Sequence, residues 1–357
     1  MLRYILSLLC LTLFFSCSND EDLYNENPES FPSYQKEEYD SFRDRLLSYS
    51  SLNCYKVIFA TDLHFANLET NYCTDILWIG INNMFKAVYR LTHEFSLNMC
   101  VLGGDYMQLP LPNKGQTKEM GIKNLEQLNT WMEFSNCPIF PIIGNHELDF
   151  SGTGEGFGLT YDEFYNYCQK QFVEKNVVKR INAYNQLFIR DDIDGSVRHI
   201  FINTGQDDYS NVKEDLKNVL DSTPEDYSVI IYNHFTGWPF DEGRLDLYPN
   251  VKECLDIVEA SGVDFIAWIG GHNHADMCYT YHNMVVISCL QSGFWTSNAS
   301  QDGITYMHNE RSANESAFSV FVIRKDLGKI YVVRYGLGKD REINYNAKSG
   351  EIGLVKR

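Results

Sequence analysis

The chain is short of positive charge. Thirty Lys and Arg face 48 Asp and Glu, a formal net charge of −18 over 357 residues. General electrostatic attraction to nucleic acid or to anionic lipid is thereby disfavoured, so any phosphate chemistry needs a local positive site. Ten cysteines are present, yet no C-x-x-C and no zinc-finger spacing occurs. Setting aside Cys10 and Cys17 near the amino terminus leaves eight at irregular intervals, which does not read as a disulfide framework. Cys100 and Cys289 lie in apolar, strand-like runs and are expected as small buried thiols. Repeats of solenoid type are also missing. What is present is apolar content: 44% hydrophobic and 14% aromatic residues, enough for a large core in one big domain or two.

The first 16 residues stand apart from the fold. Arg3 and the amino terminus are positive, and Tyr4–Phe15 is a mostly apolar run of 12 residues. That run is too short to span a bilayer as a helix and fits the core of a signal peptide. It ends at Phe15-Ser16-Cys17, which resembles a bacterial lipoprotein cleavage site with Cys17 as the lipidated residue, although Phe14 stands where Leu is usual. The acidic, aperiodic stretch SNDEDLYNENPES follows and reads as a tether. Its early acids resemble the export signal of some surface lipoproteins. The expected location is the cell envelope, at the outer membrane or cell surface, or secretion if Cys17 carries no lipid.

Beyond the tether the chain alternates. Tyr34–Tyr49 is predicted as an amphipathic helix. Lys56–Thr61 is predicted as a strand ending in Asp62-Leu63-His64. Thr74–Phe95 has apolar residues at helical spacing. Asn98–Leu102 is a strand closing on Gly103-Gly104-Asp105, Thr117–Ser135 a helix, and Pro138–Ile143 a strand running into Gly144-Asn145-His146-Glu147. Strands that stop at Gly put polar side chains at a sheet's carboxyl edge, where open α/β proteins bind ligands. Ser151–Gly158 is expected as a loop beside the site, and Tyr161–Phe172 as a helix. The second half is richer in strands: Gln186–Arg190, Arg198–Asn203, Tyr227–Asn233, Asp264–Gly270, Met284–Ser288, Ala317–Arg324 and Lys329–Gly336. Two of these deliver His234 and the pair His272 and His274.

Nine histidines occur, and His64, His146, His234, His272 and His274 each directly follow a predicted strand. One such histidine is unremarkable in a surface loop. Five arriving with Asp62, Asp105 and Asn145 point to metal-assisted chemistry, since residues two apart in an extended segment face one way and can share an ion. His93, His199, His282 and His308 are expected to be structural or exposed.

The ordered set D-x-H, G-D, G-N-H-E, H and G-H-x-H resembles the calcineurin-like metallophosphoesterase family from Lys56 to His274, and weakly to about Gly336. The resemblance implies an α/β fold in which a two-sheet β-sandwich is flanked by helices, in four α/β/β/α layers. It also implies two divalent ions (Mn, Fe, Zn or Co). Asp62, His64 and His274 would hold the first, Asn145, His234 and His272 the second, and Asp105 would bridge. Ions about 3.5–4 Å apart clamp a phosphate ester and generate a hydroxide for in-line attack. Their +4 against −2 from Asp62 and Asp105 leaves a local +2, which surface acids beyond a screening length of roughly 8 Å do not cancel.

His146, adjacent to Asn145, points away from the ligand direction and by the resemblance serves the leaving group. Protein-phosphatase-type members place Asp and Arg where this chain has Gln108 and Leu109, which argues against that activity. Asp149, three residues after His146, is the candidate orienting carboxylate. The GNHELD string and Gln108 resemble the secreted 5′-nucleotidase branch, whose base specificity, set by a large C-terminal nucleoside-binding domain, is not carried over. Asn203-Thr204-Gly205 sits where many members have a strand-end Asp. Phe235, Trp238, Phe240 and Trp295 could wall an aromatic pocket or be loop anchors with buried rings.

The resulting organisation is a signal peptide at 1–16, a lipid-anchored tether and helix at 17–50, a phosphoesterase domain at 51–340 and a tail at 341–357. The expected partners are a phosphate-ester substrate and a membrane reached through the lipid. Phosphodiesterase action on nucleotides or phospholipid head groups, or an inactive surface binding protein that keeps the metal site, are the alternatives.

Overall fold

Continuous apolar strands need cover on both faces, and this chain supplies it with a second sheet on one side and helices on the other. The computed structural model describes residues 25–50, 54–66, 75–108, 117–148, 157–205, 209–240, 244–293, 300, 304–345 and 352–354. The expected signal peptide, Cys17, Asp149 and the glycine-rich 151–156 lie outside them.

The elements in order are α1 (Ser33–Tyr49), β1 (Tyr55–Ala60), α2 (Asp75–Glu94), β2 (Met99–Leu102), α3 (Lys118–Met132) and β3 (Ile139–Pro141). Then come α4 (Tyr161–Phe164), a π turn (Tyr165–Gln169), α5 (Lys170–Glu174), β4 (Lys179–Arg180), β5 (Leu187–Asp192), β6 (Val197–Ile202) and α6 (Lys213–Asp221). The remainder is β7 (Ser228–Asn233), β8 (Gly237–Phe240), β9 (Arg244–Leu247), α7 (Pro249–Ser261), β10 (Asp264–Gly270), β11 (Met277–Tyr281), β12 (Met284–Ser288), β13 (Phe318–Arg324), β14 (Lys329–Tyr335), β15 (Arg341–Asn344) and β16 (Ile352–Leu354).

One sheet runs β16-β15-β14-β13-β1-β2-β3 and the other β11-β12-β10-β7-β6-β5-β4. Their facing sides interdigitate. Phe59 of β1 stacks on Tyr232 of β7, and Phe140 of β3 meets Phe201 of β6 with centroids 4.8 Å apart. Along β7 the alternation is clean: Ile230 and Tyr232 join that central core, while Val229 and Ile231 join a second cluster under α6 and α7. On the outer side of the first sheet, Phe42 of α1 packs edge-on against Phe318 and Tyr335, and Trp131 of α3 meets Phe65 edge-on, stacks on Phe85 and lies tilted against Trp78. The result is the expected four-layer α/β/β/α arrangement. Cys100, Cys168, Cys254 and Cys289 are buried free thiols. Among the described residues no helix is long and apolar enough to cross a membrane.

Two expectations change. Of the tail expected at 341–357, residues 341–344 and 352–354 are strands: β15 pairs antiparallel with β14, and β16 with β15, extending the first sheet. Alternation in Arg341-Glu342-Ile343-Asn344 is too brief to be decisive without its partner strand. The helix expected at Tyr161–Phe172 begins with a capping box, in which Thr160 and Glu163 bond reciprocally, and then opens into the π turn. That turn aims buried Gln169 at the Pro141 carbonyl and the Asn203 amide, a brace whose cause lies outside the helix's own sequence.

What positions the site is topology. Strands β1, β2 and β3 are mutually parallel, as are β6, β7, β10 and β12. Their carboxyl ends from both sheets open on one edge of the sandwich.

Candidate metal centre

Two three-residue groups meet at that edge, each with ligand-type atoms within 4.8 Å of one another: Asp62, His64 and His274, and Asp105, His234 and His272. In the first, His64 Nε2 lies 2.9 Å from His274 Nε2, and Asp62 Oδ1 lies 3.4 Å from His274 Nε2. In the second, His234 Nε2 lies 3.1 Å from Asp105 Oδ2 and 3.0 Å from Asn145 Oδ1. His234 Nδ1–H donates to the Gly103 carbonyl at 2.8 Å. A carbonyl only accepts, so Nδ1 carries a proton and Nε2 is the nitrogen turned toward Asp105 and Asn145.

The convergence is not the extended geometry that the D-x-H and H-x-H spacings suggest. Asp62, His64, Asp105, His272 and His274 all have left-handed backbones, with φ between 46° and 74°. Such a conformation costs a non-glycine residue on the order of 1–3 kcal/mol and persists only where the surroundings enforce it. Here the enforcement is visible. Asp62 N–H donates to the Gly104 carbonyl and His64 N–H to the Asp105 carbonyl. The Asp62 carboxylate in turn accepts from His272 N–H and Thr61 Oγ1. Gly144 and Gly271 are required beside these acids, because a Cβ at Gly144 would strike the Asp105 carboxylate and one at Gly271 the Asp62 carboxylate.

Electrostatics divides the group. Burial opposes charge on Asp62, yet His274 and His234 outweigh it and hold its carboxyl down to about 2. Burial likewise acts against Asp105, but His234 and His146 keep it well below the usual carboxylate range. Burial, helped by neighbouring imidazoles, pushes His64 and His272 down to about 3, so both are neutral. His234 goes the other way: burial would lower it, and the Asp105 carboxylate raises it to about 9. Two ionised carboxylates buried among imidazoles, of which His64 and His272 are neutral, call for a cationic centre. The ring nitrogens His64 Nδ1 and His272 Nδ1 are buried with no hydrogen-bond partner. The orphaned His272 nitrogen and the carboxylate, imidazole and amide donors all fit divalent ions of the Mn, Fe, Zn or Co kind.

His146 belongs to neither three-residue group. Its backbone N–H donates to Asp105 Oδ1, its Nδ1–H donates to the Met107 carbonyl at 3.0 Å, and its Nε2 lies 3.8 Å from Asp105 Oδ2. The ring packs on His64 with centroids 4.7 Å apart. The orienting partner here is a backbone carbonyl; Asp149, expected in that role, lies outside the described residues.

Sequence reasoning passed over Glu147. Acidic side chains are exposed by default, but this one is fully buried. Its Oε1 accepts from Tyr106 N–H at 2.8 Å and Met107 N–H at 3.3 Å, and its Oε2 from Gly144 N–H at 2.8 Å and Asp105 N–H at 3.1 Å. It ties the loop after β2 to the loop after β3. Asn203 does related work, accepting Ile143 N–H at 2.7 Å. The only signal in the sequence for Glu147 was its place inside G-N-H-E.

The other histidines are accounted for locally. His93 caps its own helix through Tyr89 O, and His199 sits buried between the Tyr55 and Tyr232 hydroxyls. Exposed His282 pairs with Glu259, and buried His308 contacts the Gln291 and Asn314 carbonyls. Of the aromatic candidates, Phe235 is an anchor at 3% exposure under His272, whereas Trp238 is 56% exposed. Trp295 lies outside the described residues, as does the side chain of Phe240.

Residues 55–276 match the calcineurin-like phosphoesterase family. No curated protein sequence matches the chain. Among solved structures, a dimetal phosphatase from Danio rerio is similar at 11% identity and TM-score 0.53, over 82% of this chain and 99% of that one. A purple acid phosphatase from yellow lupin seeds is 13% identical with TM-score 0.49, the match spanning 82% of this chain and about half (52%) of that one.

Proposed function

Because the chain belongs to the calcineurin-like phosphoesterase family, we propose that it hydrolyses phosphate monoesters at the edge where the two side-chain groups meet. Asp62, His64 and His274 would hold one divalent ion, Asn145, His234 and His272 a second, and Asp105 would serve both. The observation that carries this reading is the pairing of the two groups around Asp105, which contacts His234 and lies within electrostatic reach of Asp62 and His64. Such ions, when bound, polarise the phosphate and acidify a water for in-line attack. The protein's own part is positional. Left-handed turns at Asp62, His64, Asp105, His272 and His274 aim the donors. His146, its Nδ1–H fixed by Met107, presents Nε2 to the departing oxygen as proton or hydrogen-bond donor.

The test is metal content with turnover. The purified chain should carry close to two ions, and Asp105→Asn should lose both metal and phosphatase activity. Full turnover by protein stripped of metal and kept in chelator would refute the reading. We propose also that lipid on Cys17 tethers the enzyme to the cell envelope. The wild type should then partition with detergent and Cys17→Ser should not, while recovery of the wild type wholly in soluble fractions would favour secretion.

A further inference from the structure

We infer that Trp238 forms an aromatic ledge beside the metal centre, and that the preferred substrates are phosphate esters whose body next to the phosphate is a flat aromatic or heteroaromatic ring. The inference rests on the phosphoesterase reading above and narrows its substrate class. Trp78, Trp131 and Trp268 are fully buried, as an indole in a folded protein normally is to a large degree, whereas Trp238 is 56% exposed. Its position is fixed all the same. It stands on β8, which pairs with β9 as a separate two-stranded ribbon directly after His234. The ribbon is tied to the H-x-H loop by Asn273, whose amide donates to the Gly237 carbonyl. The indole sits 5.5 Å from the His272 ring and 5.7 Å from Tyr248, each crossing at 62°.

These contacts hold Trp238 from two sides and leave the rest of its surface in water beside a proposed ligand. Phe235 and Tyr248 back His272 at 4.5 Å and 5.8 Å, so the imidazole is already packed and has no need of a third ring for support. A rigid, half-open indole at that distance is suited to stack on a planar group whose phosphate lies at the metals. An alkyl ester offers no face to stack.

The experiment compares phenylphosphonate with methylphosphonate on the metal-loaded full chain, by tryptophan fluorescence and calorimetry. Both have a carbon–phosphorus bond that hydrolysis does not cleave, so binding is read without turnover. We expect phenylphosphonate to bind about fivefold or more tightly than methylphosphonate, from the roughly 1–3 kcal/mol that one stacking contact provides. Trp238→Ala should bring that ratio close to one with metal content kept, and Trp238→Phe should restore most of it. A wild-type ratio near one, or a ratio that Trp238→Ala leaves unchanged, overturns the ledge. Loss of binding to anionic vesicles in Trp238→Ala with the ratio intact would make the indole a membrane contact and likewise overturn it. Binding of neither phosphonate would refute the metal-centre reading and the ledge together, an outcome distinct from equal binding of both.

Discussion

Replacing Glu147 by Gln tests how the site is held together. The carboxylate accepts four backbone N–H groups, two on each oxygen. Glutamine has one oxygen, so two of the four donors would face an amide NH2 in a place with no solvent access. Each buried donor left without an acceptor costs about 1–3 kcal/mol, which makes the expected loss roughly 2–6 kcal/mol. With about 2.1 cal/mol/K of unfolding entropy per residue, a chain of 357 residues has roughly 0.7 kcal/mol/K at its midpoint. The thermal midpoint should therefore fall by about 3–8 °C, measured by circular dichroism in chelator so that metal binding does not contribute. The four donors belong to Gly144 and to residues 105–107, so whichever pair is released the backbone that carries Asp105 loosens, and the same variant should also bind the second equivalent of metal more weakly in a competition titration. A midpoint within a degree of wild type, together with unchanged metal affinity, would refute the argument that Glu147 staples the two loops.

Asp276, fully buried between Arg334 and Arg341, joins the segment after His274 to the first sheet. Asp276→Asn removes the carboxylate charge that both guanidinium groups share and should cost about 3–5 kcal/mol in urea unfolding, whereas a loss under 1 kcal/mol would show the cluster to be solvated. His146→Ala should keep its metals and slow alkyl phosphate esters by roughly 10²–10⁴-fold. Nitrophenyl esters, whose leaving group needs a proton least, should be slowed much less; loss of metal in this variant would contradict the role assigned. Burial holds His199 down at about 3 and His308 at about 4. Because both folded values lie below the unfolded one, the native state binds fewer protons. Stability is complete above about pH 6.5 and declines as pH falls toward 3–4. His199→Gln should flatten that decline in thermal melts of the metal-free chain, and an unaltered slope would exclude His199 as its source.

Much of the architecture could be read in the sequence because burial on both faces leaves a strong mark. The runs ending at Asp62, Asp105, Gly144, His234 and His272 stay apolar without alternation, and their strands fall within about two residues of the spacing-based ranges. Strand-end histidines and acids at D-x-H and G-H-x-H spacing were equally legible, since local chemistry alone marks them as unusual. The π turn at Tyr165–Gln169 was not legible, nor was the sheet membership of β15 and β16, because each answers to partners distant along the chain. Local residue order was enough to mark which side chains could hold metal and which strand ends would carry them. Tertiary structure decided how they meet. Left-handed backbones at Asp62, His64, Asp105, His272 and His274, the burial of Glu147 under four N–H donors, and the exposure of Trp238 beside His272 each depend on a loop after one strand packing against a loop after another. No local pattern encodes such contacts, since their energy exists only once the strands that carry the loops are in place.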